Sequence, residues 1–254
     1  MKFNIITIYP DFFKSFTSST IIGRAIDRKL IEVNLIPLRN FSYDKNHRID
    51  DRPISGGAGL ILRLEPLVDA LNSISSPSYK VLLGPRGKKY NQADAIRLSK
   101  KEEITLICGH FEGIDYRFNK YVDEEISIGD YILTGGEIAS MVLIDSISRL
   151  ITGVISEKST EDESFNNSLL EYPQYTYPKE YDGEKIPDIL FSGNHKIIDD
   201  YHLKESLKET IKYRKDLISS LTYDRKIATF YKEIKENKDG KLEENISKVL
   251  NKKK

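Results

Sequence analysis

Short apolar runs rich in β-branched residues recur through the first half of the chain, with more polar segments between them. The runs cover residues 3–8, 33–36, 79–83 and 104–108, and none alternates cleanly between apolar and polar positions. Continuous apolar runs of this length are typical of strands that are buried on both faces. We therefore predict four strands of a parallel sheet.

The segments between these runs carry apolar residues at helical spacing. They cover residues 21–30, 66–74 and 93–98, and the second opens with Pro66, a residue favoured in the first turn of a helix. Because strands and helices alternate, we predict an α/β domain over residues 1–155.

The pattern changes after this domain. The acidic run EKSTEDE has no apolar anchor, so we predict a flexible linker over residues 156–163. Apolar residues at four-residue spacing follow, beginning with Leu203, Leu207 and Ile211, and they predict a small all-α domain over residues 164–254.

Composition narrows the class of protein. No stretch approaches the roughly 20 apolar residues of a membrane helix, and the N-terminus has no signal-peptide core, so we expect a cytoplasmic protein without a membrane partner. Cys108 is the single cysteine, and no histidine accompanies it at ligand spacing, which disfavours a structural zinc site. Basic and acidic residues both number 39, so an RNA contact would need a local basic patch.

Three glycine-bearing loops follow apolar runs, at residues 83–87, 108–115 and 127–137. Ligands of parallel α/β sheets bind outside the carboxyl ends of the strands, where glycine lets the backbone approach them closely. A tight turn explains any one of these loops equally well, but three in succession favour a binding site. Neither a dinucleotide nor a P-loop fingerprint is present, so the pattern favours a nucleoside-like ligand without phosphates.

An earlier segment, residues 46–59, combines charged residues with a glycine cluster. Such a loop could close over a substrate, with Arg48 or Arg52 near a phosphate and an aspartate near a base edge. A charged surface turn with an internal Arg–Asp pair explains these residues equally well. The candidate substrate-binding residues are Asp50, Arg52, Gly56, Gly57 and Gly59.

Six runs, taken in order, resemble one known family. They are DDRPISGGAGL, LLGPRGKKY, ICGHFEGIDYR, SIGDYILTGGEIASMVLIDSISRL, LLEYPQYTYP and ILFSGNHKII. Together they are similar to the bacterial tRNA (guanine-N1)-methyltransferases, the TrmD family, over nearly the whole chain to about residue 220. The IGDYxLxGGE pattern, together with SGNH, is highly specific.

This resemblance implies a SPOUT-type α/β domain with a deep trefoil knot, an obligate homodimer and a C-terminal helical domain that grips the anticodon arm of tRNA. The implied reaction is methylation by S-adenosylmethionine of N1 of the guanosine just 3′ of the anticodon, position 37. The cofactor cleft would be completed by the partner subunit. The residues that would line it are Leu83, Gly84, Pro85, Gly109, Glu112, Gly113, Ser127, Ile128, Gly129, Asp130, Tyr131, Ile132, Leu133, Gly135 and Gly136.

Guanine N1 carries a proton, so its methylation needs a general base. The family uses an aspartate in an Asp-Ser-Phe run, and the matching run here is Glu163-Ser164-Phe165, with Asp162 directly before it. We favour Glu163 on register and keep Asp162 as the alternative. Without the resemblance, both residues are explained as parts of a solvated acidic linker.

Two further residues match family positions. Arg149 would stabilise the negative charge that develops on guanine O6, although it is equally explained as a cation near a helix C-terminus. Ser159 matches a serine of the reactive loop, and a linker or capping role is as plausible. The family has been associated with Mg²⁺, but no carboxylate pair here has a spacing that demands a metal.

Two other functions remain open from the sequence. One is a SPOUT methyltransferase that modifies another RNA position, and the other is a non-catalytic RNA-binding module.

Overall fold

The computed structural model describes residues 1–54, 56–156, 164–165, 168–219, 221, 224–237 and 240–251. The chain divides into two compact units, Met1–Glu157 and Lys158–Lys254. No helix within the described residues has both the length and the apolar character that a membrane span requires.

The first unit is built on a parallel sheet. The strands in its described residues are β1 (Lys2–Thr7), β2 (Glu32–Pro37), β3 (Asp50–Asp51), β4 (Ile61–Leu62), β5 (Tyr79–Lys89), β6 (Glu103–Cys108) and β7 (Glu124–Ser127). Five of them form one sheet in the order β2-β1-β6-β5-β7, and all of its pairings are parallel. The short strands β3 and β4 form a separate antiparallel pair.

The four strands predicted from apolar runs correspond to β1, β2, β5 and β6, so the predicted parallel sheet is confirmed. The edge strand β7 was missed because it has only four residues and begins with two glutamates. Strand β5 continues to Lys89, beyond the predicted run, and its register against β7 shifts between Leu83 and Lys88.

Helices flank the strands, and α2, α3 and α4 lie close to the three predicted helical segments. They are α1 (Lys14–Ser18), α2 (Thr20–Asp27), α3 (Leu64–Asn72), α4 (Gln92–Leu98) and α5 (Glu137–Ser148). Helix α4 begins where the Asn91 side chain accepts a hydrogen bond from the backbone N–H of Asp94. Helix α2 ends before the predicted Leu30, because Lys29 has a φ of 58° and leaves the helical region.

Hydrophobic clusters cover both faces of the sheet. Ile104 and Leu106 of β6 pack in one cluster with Leu143 of α5, whereas Ile107 packs in the other with Leu67 of α3. Neighbouring residues of one strand thus enter opposite clusters, as strand geometry requires. Burial on both faces explains why the strands lack polar alternation.

The second unit is helical in its described residues, apart from one short antiparallel hairpin. Its helices are His195–Tyr213, Lys215–Ile218, Arg225–Glu236 and Lys241–Asn251, and the hairpin pairs Glu180–Tyr181 with Glu184–Lys185. The prediction of an all-α domain omitted this hairpin, whose four residues are exposed and carry no apolar pattern.

Two features organise the helices of this second unit. The Asn194 side chain of the SGNH run accepts a hydrogen bond from the Ile197 N–H at 3.4 Å and so begins the longest helix. Lys204 of that helix is buried, and its ammonium group donates to Glu233 at 2.7 Å and to Glu243 at 2.5 Å. The three helices that carry these residues therefore meet at the Lys204 ammonium group, whose charge the two carboxylates balance.

Candidate active site

A cavity of about 320 Å³ lies at the carboxyl ends of β6 and β7, beside the register shift of β5 between Leu83 and Lys88. Its walls are the three glycine-bearing segments, together with the start of α5; the first segment lies within β5, and the other two follow β6 and β7. The lining residues are Leu83, Gly84, Pro85, Gly109, His110, Phe111, Glu112, Gly113, Ile126, Ser127, Ile128, Gly129, Tyr131, Ile132, Leu133, Thr134, Gly135, Gly136 and Ala139. The three loops, which are far apart in the sequence, therefore form one site.

The residues predicted to bind the cofactor line this cavity, with the exception of Asp130. Asp130 is exposed and lies outside the lining, and its carboxylate is 2.7 Å from the ammonium group of Lys89. The prediction also missed several lining residues, namely His110, Phe111, Ile126, Thr134 and Ala139. His110 and Phe111 stand within the CGHFEG run and could have been found there.

The cavity depends on a close approach between two of its loops. The N–H of Gly136 donates to the carbonyl of Gly109 at 2.8 Å, and a Cβ at position 136 would lie 2.7 Å from Cys108 Cα. Any side chain at this position would therefore force the strand end and the helix start apart. Gly113 meets a different requirement, since its φ of 121° is accessible almost solely to glycine.

A chain of polar groups is buried beside the cavity. The Thr7 hydroxyl of β1 donates to Oε1 of Glu137 at 2.8 Å, and both side chains are almost fully buried. The other carboxylate oxygen, Oε2, lies 4.0 Å from Nδ1 of His110. The His110 ring packs edge-on against Tyr9, with a centroid distance of 5.1 Å.

Cys108 is a buried thiol beneath the same wall. Burial, and then the negative charge of Glu137, raises the pKa of this thiol far above its ordinary value. Its Sγ lies 3.0 Å from the hydroxyl of Ser140. A thiol held in its neutral form is a poor nucleophile, so Cys108 is a packing residue.

The glycine-rich segment after β3 reaches the rim of the cavity. The N–H of Glu112 donates to the carbonyl of Leu60 at 2.9 Å, and a Cβ at Gly59 would lie 2.3 Å from Glu112 Cγ. This contact joins the end of the segment to a residue that lines the cavity. The predicted substrate-binding residues lie outside the lining itself; they are Asp50, Arg52, Gly56, Gly57 and Gly59.

The predicted catalytic residues fall elsewhere. Arg149 is half-buried directly after α5, where its N–H donates to the carbonyl of Asp145 at 3.2 Å, and it does not line the cavity. Ser159, Asp162 and Glu163 lie outside the described residues. Within the residues that are described, no three His, Cys, Asp or Glu side chains are grouped so as to hold a metal ion.

The fold and the site together define a class of protein: an α/β domain with a parallel sheet and a cavity whose walls are glycine-bearing segments of three neighbouring strands and the loops beside them. The family model described as tRNA (guanine-1)-methyltransferase TrmD matches residues 1–220. The chain belongs to this family.

Named relatives agree with this assignment. The chain is 48% identical over 227 residues to a tRNA (guanine-N(1)-)-methyltransferase of Mycoplasmopsis agalactiae, covering 89% of this chain and 100% of the relative. A Carboxydothermus hydrogenoformans protein of the same name is 47% identical over 232 residues, covering 89% and 92%. The crystal structure of a tRNA (m1G37) methyltransferase from Aquifex aeolicus superposes with a TM-score of 0.71 at 38% identity, covering 87% and 95%.

Proposed function

We propose that this protein transfers a methyl group from S-adenosylmethionine to N1 of the guanosine 3′ of the anticodon, position 37, in tRNA. The observation that carries the proposal is the single cavity formed by the three glycine-bearing loops, whose sequences are the family's specific runs. The names of the relatives support the same substrate and the same position of methylation.

The cavity fits the implied cofactor. Its volume of about 320 Å³ lies within the usual range for small-molecule sites, and the absence of a phosphate-binding fingerprint suits a nucleoside. The backbone of Gly109 and Gly135 would meet polar groups of the ligand, while Leu83 and Leu133 would pack on its apolar parts. S-Adenosylmethionine supplies a methyl group activated by a sulfonium centre.

The remaining chemistry is assigned to residues that the resemblance to the family implies. Glu163 would accept the N1 proton, with Asp162 as the alternative base, and Ser159 would position the segment that carries them. Arg149 would hold the negative charge that develops on O6. Magnesium is not assigned to any residue in this proposal.

The length of α5 supports the proposal that Arg149 acts in the cavity of a second copy. Gly136 and Ala139, at the start of this helix, line the cavity, whereas Arg149 follows its last residue. At 1.5 Å per residue, the twelve positions from Glu137 to Arg149 span about 18 Å, which exceeds the reach of an arginine side chain. A complete site therefore requires a homodimer, which we include in the proposal.

Exposed apolar side chains support this homodimer. Ile138 and Val142 lie one turn apart on α5 and are 44% and 40% exposed. Phe12, in the adjoining 3-10 helix Pro10–Phe13, is 51% exposed. Ile132, at the rim of the cavity, is 87% exposed. A partner that covered these side chains would also complete the cleft.

The proposal includes the deep trefoil knot of SPOUT methyltransferases. The chain leaves the edge strand β7, and the next helix, α5, contacts the inner strands β6 and β1. The connection formed by residues 128–136 thus runs from the edge of the sheet back to its inner strands, and in the proposed knot it would be part of the crossing.

The proposal also assigns a function to each part of the chain. Residues 1–155 would form the methyltransferase domain, residues 156–163 a flexible linker and residues 164–254 a helical domain that grips tRNA. We place the enzyme in the cytoplasm, where its substrate tRNA is modified.

One assay tests the proposed reaction. The protein is incubated with radiolabelled S-adenosylmethionine and an unmodified tRNA that has guanosine at position 37, and the labelled nucleoside is identified by mass spectrometry. We expect 1-methylguanosine, and no label in a matched tRNA with adenosine at position 37. A 2′-O-methylated nucleoside or another methylated base would support the alternative RNA target, and tRNA binding without transfer would support a non-catalytic module.

A further inference from the structure

His110 lines the cavity, yet one of its ring nitrogens faces away from solvent toward Glu137. Its Nδ1 atom is buried and has no hydrogen-bond partner among the described residues. The nearest charged group is Oε2 of Glu137, at 4.0 Å. An unpaired buried nitrogen next to a buried carboxylate requires an explanation, because such groups are normally hydrogen-bonded.

We propose that Glu137 holds His110 as the Nδ1–H tautomer, so that Nε2 is left as a hydrogen-bond acceptor for a donor group of the ligand in the cavity. His110 is thereby a ligand-binding residue, and Glu137 is the positioning residue that sets its tautomer. A shift of the ring by about 1 Å closes the gap between Nδ1 and Oε2 to hydrogen-bond length.

The chemistry of the carboxylate determines this tautomer. An ionised carboxylate only accepts hydrogen bonds, so it favours a protonated Nδ1 and would repel the lone pair of an unprotonated one. Thr7 already donates to Oε1, which leaves Oε2 as the oxygen available to His110. The other ring contacts of His110 are edge-on packing against Tyr9 and Phe111.

Gly135 keeps the space between His110 Nδ1 and Glu137 Oε2 free of other atoms. A Cβ at position 135 would lie 2.4 Å from both Glu137 Oε2 and His110 Nδ1. Residues 110 and 135 also form an isolated antiparallel bridge, which fixes the two loops side by side. The second glycine-bearing loop and the third are therefore held at the distance that lets the carboxylate and the imidazole meet.

The ligand step rests on the proposed function, whereas the tautomer does not. S-Adenosylmethionine offers several donors, namely the adenine amino group, the ribose hydroxyls and the ammonium group. An acceptor whose tautomer is fixed in advance would bind one of these donors without a rearrangement of the ring.

Nitrogen-15 NMR of the imidazole rings tests the tautomer in the protein without ligand. The His110 signals are assigned by their loss in His110→Phe, and we expect the neutral ring to carry its proton on Nδ1. In Glu137→Gln, the Thr7 hydroxyl can donate to the amide oxygen and turn the amide nitrogen toward Nδ1, so the proton should move to Nε2. A wild-type ring protonated on Nε2 overturns the proposal even if the variant does not fold, and so does a folded variant with an unchanged tautomer.

Calorimetry with S-adenosylmethionine tests the ligand step. We expect Glu137→Gln and His110→Phe each to weaken binding about tenfold, the effect of one lost hydrogen bond. Glu65→Gln makes the same carboxylate-to-amide change at an exposed position of α3, outside the cavity, and should bind as the wild type does. Equal affinity in all of these proteins overturns the role of His110. Absence of binding to the wild type, with the expected tautomer in place, contradicts the proposed function instead.

Discussion

The hydroxyl of Thr7, in the first strand of the sheet, donates a hydrogen bond to the carboxylate of Glu137, which lies 130 positions later in the chain. Both side chains are buried, at 0% and 4% exposure, so water cannot replace this bond if it is lost. The bond thus joins the start of the sheet to the helix that closes the cavity.

We expect Thr7→Val to lower the free energy of unfolding of the first unit by about 3 kcal/mol, because a charged buried acceptor would lose its donor while the shape is kept. Urea unfolding measures the change. Thr7→Ser keeps the hydroxyl and loses one methyl group, so it should cost only about 1 kcal/mol. Equal losses in the two variants would contradict a role for this hydrogen bond.

Gly136→Ala should destabilise the protein by about 2 to 3 kcal/mol and abolish cofactor binding, since the new methyl group would lie 2.7 Å from Cys108 Cα. Thermal unfolding and calorimetry give the two readouts. Gly109→Ala is the matched control for folding, because its nearest atom would be at an ordinary 3.7 Å. A control variant that is equally unstable would argue against the close approach at Gly136.

Glu163→Gln should lower the single-turnover rate of methyl transfer by at least about 100-fold, the usual contribution of a general base, with little change in affinity for S-adenosylmethionine. Arg149→Ala should have the same pattern, because its charge is needed only as O6 becomes negative. Asp162→Asn is the comparison for the base. Full activity in the Glu163 variant and its loss in the Asp162 variant would transfer the role to Asp162.

Replacing Val142 by aspartate should convert the protein to a monomer and abolish methyl transfer, because an acid on this face of α5 cannot be buried against a partner. Analytical ultracentrifugation reports the oligomeric state. Ile54→Asp, at a fully exposed position, should leave that state unchanged. A monomeric and fully active Val142 variant would remove the need for a second copy.

The Cys108 thiol should resist iodoacetamide at pH 8 in the folded protein and react once the chain is unfolded, because it is buried and its pKa is raised. At pH values above the ordinary pKa of a thiol, the folded protein keeps the Cys108 proton, whereas the unfolded chain releases it. The neutral thiol therefore makes its full contribution to the stability of the folded state at neutral pH, and this contribution is lost as the pH rises above the ordinary pKa of a thiol. Rapid labelling of the native protein would contradict the burial.

The sequence predicted the parts of the site that depend on strand ends. The loops after β6 and β7 converge with the glycine-bearing part of β5 because parallel strands run toward the same edge of the sheet. The direction of each side chain within a loop was not predictable, and so Asp130 was included although it turns outward to Lys89. The contacts of Glu137 with Thr7 and His110 could not be predicted either, since they depend on packing between distant segments.

The cavity beneath the Gly136–Gly109 hydrogen bond has a consequence for biosynthesis. Its walls draw on β5, β6, β7 and the first turn of α5, so no shorter nascent chain can present the complete pocket. A ligand stabilises a protein by binding its folded state. In this protein the complete pocket does not exist until α5 has left the ribosome. Synthesis of the first unit must therefore proceed almost to its end before the cofactor can assist its folding.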